Sequence, residues 1–306
     1  MKKNPWIVAL VLIGGFIVLI LAALGAAFYT AFGEKPQSVS SKSVLVIDVK
    51  GVIVDSRPFI KTIEKYRDDK DIKAIVVRLD SPGGVVGPSQ EIYDEILRTR
   101  QMKKPIVASL GSVAASGAYY IAAACDKIVT NPGTITGSIG VIMEFANLSK
   151  LYEWAKVERY VVKSGTYKDI GSEFRPMTGP EREIIQSMID NVYMQFKKAV
   201  ASGRHMKLED VGKVAEGRIF SGEQAVANGL ADSLGGLKEA VDLAAKLAGI
   251  KGKPETVIPQ IHHKKVWDIL FDRGGEEDED MYGKLAQKIL GLEYLGQPMY
   301  LMRGLR

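Results

Sequence analysis

"KAIVVRLDSPGG" (73–84) joins a β-branched apolar run to a turn of serine, proline and paired glycines. Residues of this kind suit a buried, pleated strand. The Ser-Pro-Gly-Gly that follows ends it in a turn. The same alternation of apolar strand and turn recurs outward along the chain. Before it, "SVLVIDVKGVIV" (43–54) reads as a buried strand or hairpin. After it, 88–102 places Ile92, Ile96 and Leu97 at helical spacing, and "PIVASL" (105–110) is another strand. "SGAYYIAAA" (116–124) is alanine-rich and helical, and 127–141 reads as strand, turn, strand. A helix over 147–157 and a strand over 158–165 come next. Residues 179–203 form a long amphipathic helix with Pro180 near its start, and two further helices occupy 221–230 and 236–249. Strands alternating with helices mean an α/β domain with a largely parallel sheet.

The 306 residues are 46% hydrophobic and 25% charged, with a net charge of +5. That is ordinary globular composition. No basic stripe interleaved with aromatics is present, so nucleic acid is excluded as an expected partner. One cysteine, Cys125, rules out an intramolecular disulfide framework and reads as a small buried side chain. From Trp6 to Gly33 there is no charged residue. A helix over 7–32 would be about 39 Å long, against about 30 Å of hydrocarbon to cross. Residues 1–33 therefore read as a short cytoplasmic N-terminus and a transmembrane anchor, too long for an ordinary cleaved signal, though small residues at Gly25, Ala26 and Ala27 leave cleavage open. Lys2 and Lys3 hold that terminus inside, so the rest faces outward from the cytoplasmic membrane as a single-pass protein. Residues 34–42 are a polar linker. Beyond Gly249, with "HHKK" (262–265) and "GGEEDED" (274–280), we expect a solvated tail of no assigned role.

Two strand ends carry glycine loops, "DSPGG" (80–84) and "AASGA" (114–118). Strand carboxyl ends are where sites collect in a parallel sheet. A nucleophilic serine there needs backbone amides aimed at a developing oxyanion. The amide after Ser116 opens a helix, where N–H groups are free, and the Gly83–Gly84 loop could supply a second. Each loop alone is equally what a tight turn requires. The histidines are His205, His262 and His263, and none precedes residue 205. His205 follows the long helix in a polar break, so a histidine base is poorly supported. A desolvated lysine is the remaining base for serine, and "VVKSGTYKD" offers Lys163 and Lys168.

Taken together and in order, "DSPGG", "GSVAASGAYYIA", "TGSIGV" and "VVKSGTYKD" resemble the bacterial signal peptide peptidase A family. These are membrane-anchored serine–lysine proteases with a Clp/crotonase-like fold of repeated β-β-α units. The resemblance covers roughly Ser43 to Gly249, the extent of a short, single-domain form, and leaves 250–306 outside. It implies Ser116 as nucleophile, Lys168 as general base and Ser138 as the residue that orients the lysine. It implies Gly84 and Gly117 as oxyanion-hole amides, with Gly83 shaping the loop. No metal or organic cofactor is implied. The implied substrates are remnant signal peptides and other short apolar peptides at the membrane. A homo-oligomeric ring is implied, in which Ser116 of one subunit is expected to meet Lys168 of the next. Two other classes share parts of the pattern: a crotonase-like acyl-CoA enzyme, and a non-catalytic membrane scaffold with a protease-like fold.

Overall fold

The computed structural model describes residues 42–259 and 297–302, together with helical residues 14–16, 19–20 and 23. The expected anchor over 7–32 and the linker lie almost wholly outside the described residues, as do both charged tail motifs. Among the described residues no helix is long and apolar enough to cross a membrane.

Strands β1 (Ser43–Lys50), β2 (Ile72–Ser81) and β4 (Ile106–Ala115) form the parallel centre of an eight-stranded sheet. β4 is forked. Its first half pairs with β5 (Lys127–Thr130) and its last residues with β6 (Ile135–Gly137), both in parallel. β7 (Ile219–Ser221) closes one edge antiparallel to β6, β8 (Ser233–Leu234) pairs with β5, and β9 (Glu255–Val257) pairs with β1. Both faces of the centre are covered, which is why its strands read as continuous apolar runs. Side chains alternate by face. Leu45, Ile47, Ile75, Val77 and Leu79 enter the main core. Val44, Val46, Ala74 and Val76 pack against helix α8 (Leu237–Leu247) through Ala240, Val241, Ala244 and Ala245.

The main core is covered by α1 (Arg57–Arg67), α2 (Val86–Gln101), α3 (Gly117–Ala123) and α5 (Gly179–Arg204). The sequence reading assigned no helix to 57–67, although Pro58 opens it and Phe59 and Ile63, four apart, are its buried residues. α4 (Ser149–Trp154), α6 (Leu208–Val214) and α7 (Gly222–Ala227) complete the helices among the described residues. Cys125 is buried and unpaired.

Two expectations are corrected. Residues 158–165 form no strand and are exposed, with Val162 fully so. Their β-branched composition favours a strand, but a strand requires a neighbouring ladder, and none adjoins them among the described residues. The tail is not uniformly solvated either. Beyond Gly249, β9 extends the main sheet, and β10 (Met299–Leu301) pairs antiparallel with β3 (Gly83–Val85).

Candidate active site

The site begins where β2 and β4 end. Their register slips so that one residue of β2, Asp80, faces Gly111, Ser112 and Val113 of β4. The Asp80 carboxylate accepts the amides of Ser112 and Val113 at 3.0 and 3.2 Å. A Cβ on Gly111 would sit 2.8 Å from that carboxyl group. This bulge carries β4 five residues past the expected end of "PIVASL" and delivers Ser116 to the mouth of the sheet.

Ser116 is 1% exposed and stands at φ 54°, ψ −115°, outside the usual regions for a non-glycine residue. Such backbone strain persists only where the surroundings enforce it. Here its N–H donates to Gly137 O at 2.8 Å, and its carbonyl accepts Tyr120 N–H at 2.8 Å. The first bond ties it to the "TGSIGV" turn. There Ser138, also at positive φ (51°), donates its N–H to Arg218 O at 2.7 Å. Ser116 and Ser138 line one cleft of about 940 Å³, together with Ile139, Val141, Ile142 and, from α5, Gln186, Asp190 and Tyr193.

The two glycine loops converge beside Ser116. Gly83 lies at φ +101°, and a Cβ there would stand 2.7 Å from Gly117 N. A Cβ on Gly117 would stand 2.7 Å from Ser89 Oγ and 3.1 Å from Gly84 N. A Cβ on Gly84 would reach within 2.0 Å of Ile53 O. Only glycine permits this approach, and it brings the Gly84 and Gly117 amides together. Gly117 opens α3, so its N–H has no intrahelical acceptor. Two amides beside a serine hydroxyl are the arrangement that stabilises an oxyanion.

β10, which the sequence reading missed, lies across this cleft. Val86 N–H donates to Pro298 O and Met302 N–H to Pro82 O, at 3.3 and 2.8 Å. Met299 turns the other way and exchanges both bonds with Ile142, at 3.1 and 2.9 Å. Alternate residues thus face opposite edges, as in any strand held between two others. Tyr300 faces Gly84 across the ladder. Its carbonyl oxygen lies 2.0 Å from where a Gly83 Cβ would be and 3.1 Å from that of Gly117. Leu301 and Met302 continue along the cleft with Ser116.

The Tyr300 ring is fully buried, stacked on Tyr120 at 5.1 Å and tilted against Phe196 at 4.7 Å. Its hydroxyl donates to Val192 O at 3.3 Å. Burial pushes the Tyr120 phenol up to about 12 and raises Tyr93 and Tyr300 as well, so this pocket stays neutral. The signal for β10 was present as "PMYLM" (298–302), an apolar run after a charged tail.

Ser116, Ser138, Gly83, Gly84 and Gly117 are therefore brought together, and Lys168 is not. It stands exposed on a turn, its N–H donating to Gly165 O at 3.2 Å, and it does not line the Ser116 cleft. Among the described residues no hydrogen bond joins Lys168 to Ser116 or Ser138. His205, at the left-handed C-cap of α5, is exposed and does not line the cleft either.

Comparison with known proteins places the chain in a family. A Synechocystis protein with the provisional name of protease is 45% identical over 210 residues, 68% of this chain and 76% of its own. An Enterococcus faecium protein provisionally named signal peptide peptidase SppA is 35% identical over 223 residues, 69% of this chain and 65% of its own. Serine protease SPPA, chloroplastic, of Arabidopsis thaliana is 34% identical over 248 residues, 81% of this chain and 35% of its own. The model of peptidase family S49 matches residues 98–251, which carry Ser116, Ser138 and Lys168. With its glycine-built amide pair, its buried serine and these relatives, the chain belongs to peptidase family S49, the signal peptide peptidase A family.

Proposed function

We propose that this protein is a membrane-bound serine endopeptidase that degrades remnant signal peptides and similar short apolar peptides. One observation carries the reading. An extended peptide, the chain's own β10, is held between Gly83–Val85 and Ile142, with Tyr300 paired to Gly84 and its carbonyl oxygen packed against Gly83 and Gly117. Binding by strand addition recognises peptide backbone and leaves alternate side chains for pockets. A crotonase-like enzyme acting on a thioester has no use for such a ladder. The apolar lining suits greasy peptides, and membrane anchoring on the extracytoplasmic side would bring the cleft to them.

In this reading a neutral Lys168 takes the proton of Ser116 Oγ, which attacks the substrate carbonyl. The Gly84 and Gly117 amides hold the oxyanion, and Ser138 orients the lysine. Collapse expels the amine, which receives the proton from Lys168, and water then hydrolyses the acyl-enzyme. The exposure of Lys168 supports a site shared between copies, Ser116 from one and Lys168 from the next in a closed ring. The segment leading to Lys168 exposes Trp154 (80%) and Tyr160 (83%), the kind of apolar surface that subunit contacts cover.

The test is incubation of the purified full chain with a synthetic signal peptide and mass-spectrometric mapping of the cuts. Internal cleavage is expected, absent in Ser116→Ala. No cleavage by the native chain, or equal cleavage by Ser116→Ala, refutes the proposal. Labelling of Ser116 by a fluorophosphonate separates it from an acyl-CoA enzyme and from a non-catalytic scaffold.

A further inference from the structure

The loop that presents Lys168 is poorly packed, since residues 157–168 are exposed and form no strand or helix. A general base must nevertheless be held to within a fraction of an ångström of its target. The residue beside it, Asp169, is the centre of an ion-pair network. Its carboxylate accepts Lys163 Nζ at 2.5 Å, and Lys163 also donates to Thr166 O at 2.9 Å, tying the turn before Lys168 to the residue after it. Arg175 donates through Nε to Asp169 Oδ2 at 3.1 Å and also reaches Oδ1, at 2.9 Å.

The same guanidinium donates to both oxygens of Glu181, at 2.8 and 2.5 Å. Glu181 is 2% exposed. It belongs to the capping box of α5, accepting the Thr178 amide at 2.8 Å. Among the described residues, Arg175 thus bridges the loop to the capped start of α5. Its planar fork suits two carboxylates at once, which a lysine cannot match. The hydrogen bonds from Arg175 hold the Glu181 carboxyl, and with Lys163 the Asp169 carboxyl, well below the usual carboxylate range. The clamp therefore stays charged wherever a lysine base could be neutral.

We propose that Arg175 is a positioning residue for the reaction, fixing Lys168 through Asp169 by anchoring the loop to Glu181 at the α5 N-terminus. This rests on the reading of Lys168 as the general base. Arg175 touches neither substrate nor Ser116 in this assignment; it acts through the lysine alone.

The experiment compares full-length Arg175→Ala, Arg175→Lys, Lys168→Ala and the Arg175→Ala/Lys168→Ala double variant, each checked by circular dichroism. Cleavage of a synthetic signal peptide gives kcat and KM, and fluorophosphonate labelling gives the rate of Ser116 acylation. For Arg175→Ala we expect kcat to fall about 100-fold, the cost of a misplacement near 1 Å, with KM little changed. Arg175→Lys should recover part of the loss. The double variant should acylate no more slowly than Lys168→Ala, because the clamp has nothing left to position. Wild-type kcat in Arg175→Ala beside an inactive Lys168→Ala overturns the clamp and leaves the base standing. So does a double variant slower than Lys168→Ala. Full activity in Lys168→Ala instead overturns the base assignment, and the clamp with it.

Discussion

The two halves of the proposed serine–lysine site are built in opposite ways. The serine half is set by the ends of β2 and β4, is buried, and is shaped by glycines that admit no side chain. The lysine half is an exposed loop tied down by charged side chains. A packed interior transmits strain and resists displacement, so it can hold Ser116 in an unfavourable backbone conformation. A solvated loop cannot do this by packing, and charge pairs substitute for it. The difference fits a site whose rigid half awaits a second surface, and it tells which substitutions each half will tolerate.

The largest expected effect tests whether the halves come from one chain. Ser116→Ala and Lys168→Ala should each abolish peptide cleavage with the fold intact. Co-assembled in equal amounts, they should recover roughly a quarter of the sites if each site is shared head to tail around a ring. Co-purified mixed oligomers with no recovered activity would show that both residues act within one chain.

Next comes backbone tolerance. Gly117→Ala places a methyl against Ser89 and the Gly84 amide. Displacing one oxyanion donor should lower kcat about 10²–10³-fold. Gly165→Ala, beside the lysine, meets open space and should change stability by no more than about 0.5 kcal/mol. Comparable loss of activity in both would erase the contrast between a packed half and a solvated one.

A smaller effect concerns β10. Because it occupies the groove, incoming peptide must displace it. Ending the chain at residue 296 should lower KM several-fold, by removing an intramolecular competitor, and leave kcat near its native value. A fall in kcat together with a lower melting temperature would instead make β10, and the buried Tyr300, part of the structural core.

The smallest is electrostatic. Glu181 has its pKa depressed to about 2, first by its hydrogen bonds from Arg175. A carboxyl depressed on folding stabilises the native state above its ordinary value of 4.5. It loses that contribution as pH falls through the folded value. Melting temperature should therefore drop between about pH 4.5 and 2, and Glu181→Gln should flatten that part of the curve. An unaltered acid limb in Glu181→Gln would remove the carboxylate from the clamp.

Local chemistry alone made much of this legible. β-branched runs bounded by glycine and proline mark β1, β2 and β5, because a strand covered on both faces must be apolar throughout. Pro180 marks the start of α5, since its fixed φ suits a first helical turn, whose amides have no intrahelical acceptor. The glycines at 83, 84 and 117 read along the chain as either tight turns or close backbone approach, and only the fold shows the approach. Other features depend on partners distant in sequence. "ERYVVKSG" has the composition of a strand and is none, because among the described residues no strand lies beside it. "PMYLM" sits in a tail that composition assigns to solvent and is buried, because β3 and Ile142 leave a strand-wide gap over Ser116. The role of Arg175 is likewise invisible along the chain, since the loop and helix it joins acquire meaning only when folded. Residue types thus determined which groups could carry the chemistry. Tertiary structure alone decided which of them meet, because hydrogen-bond ladders and ion pairs depend on geometry between segments that the order of residues does not specify.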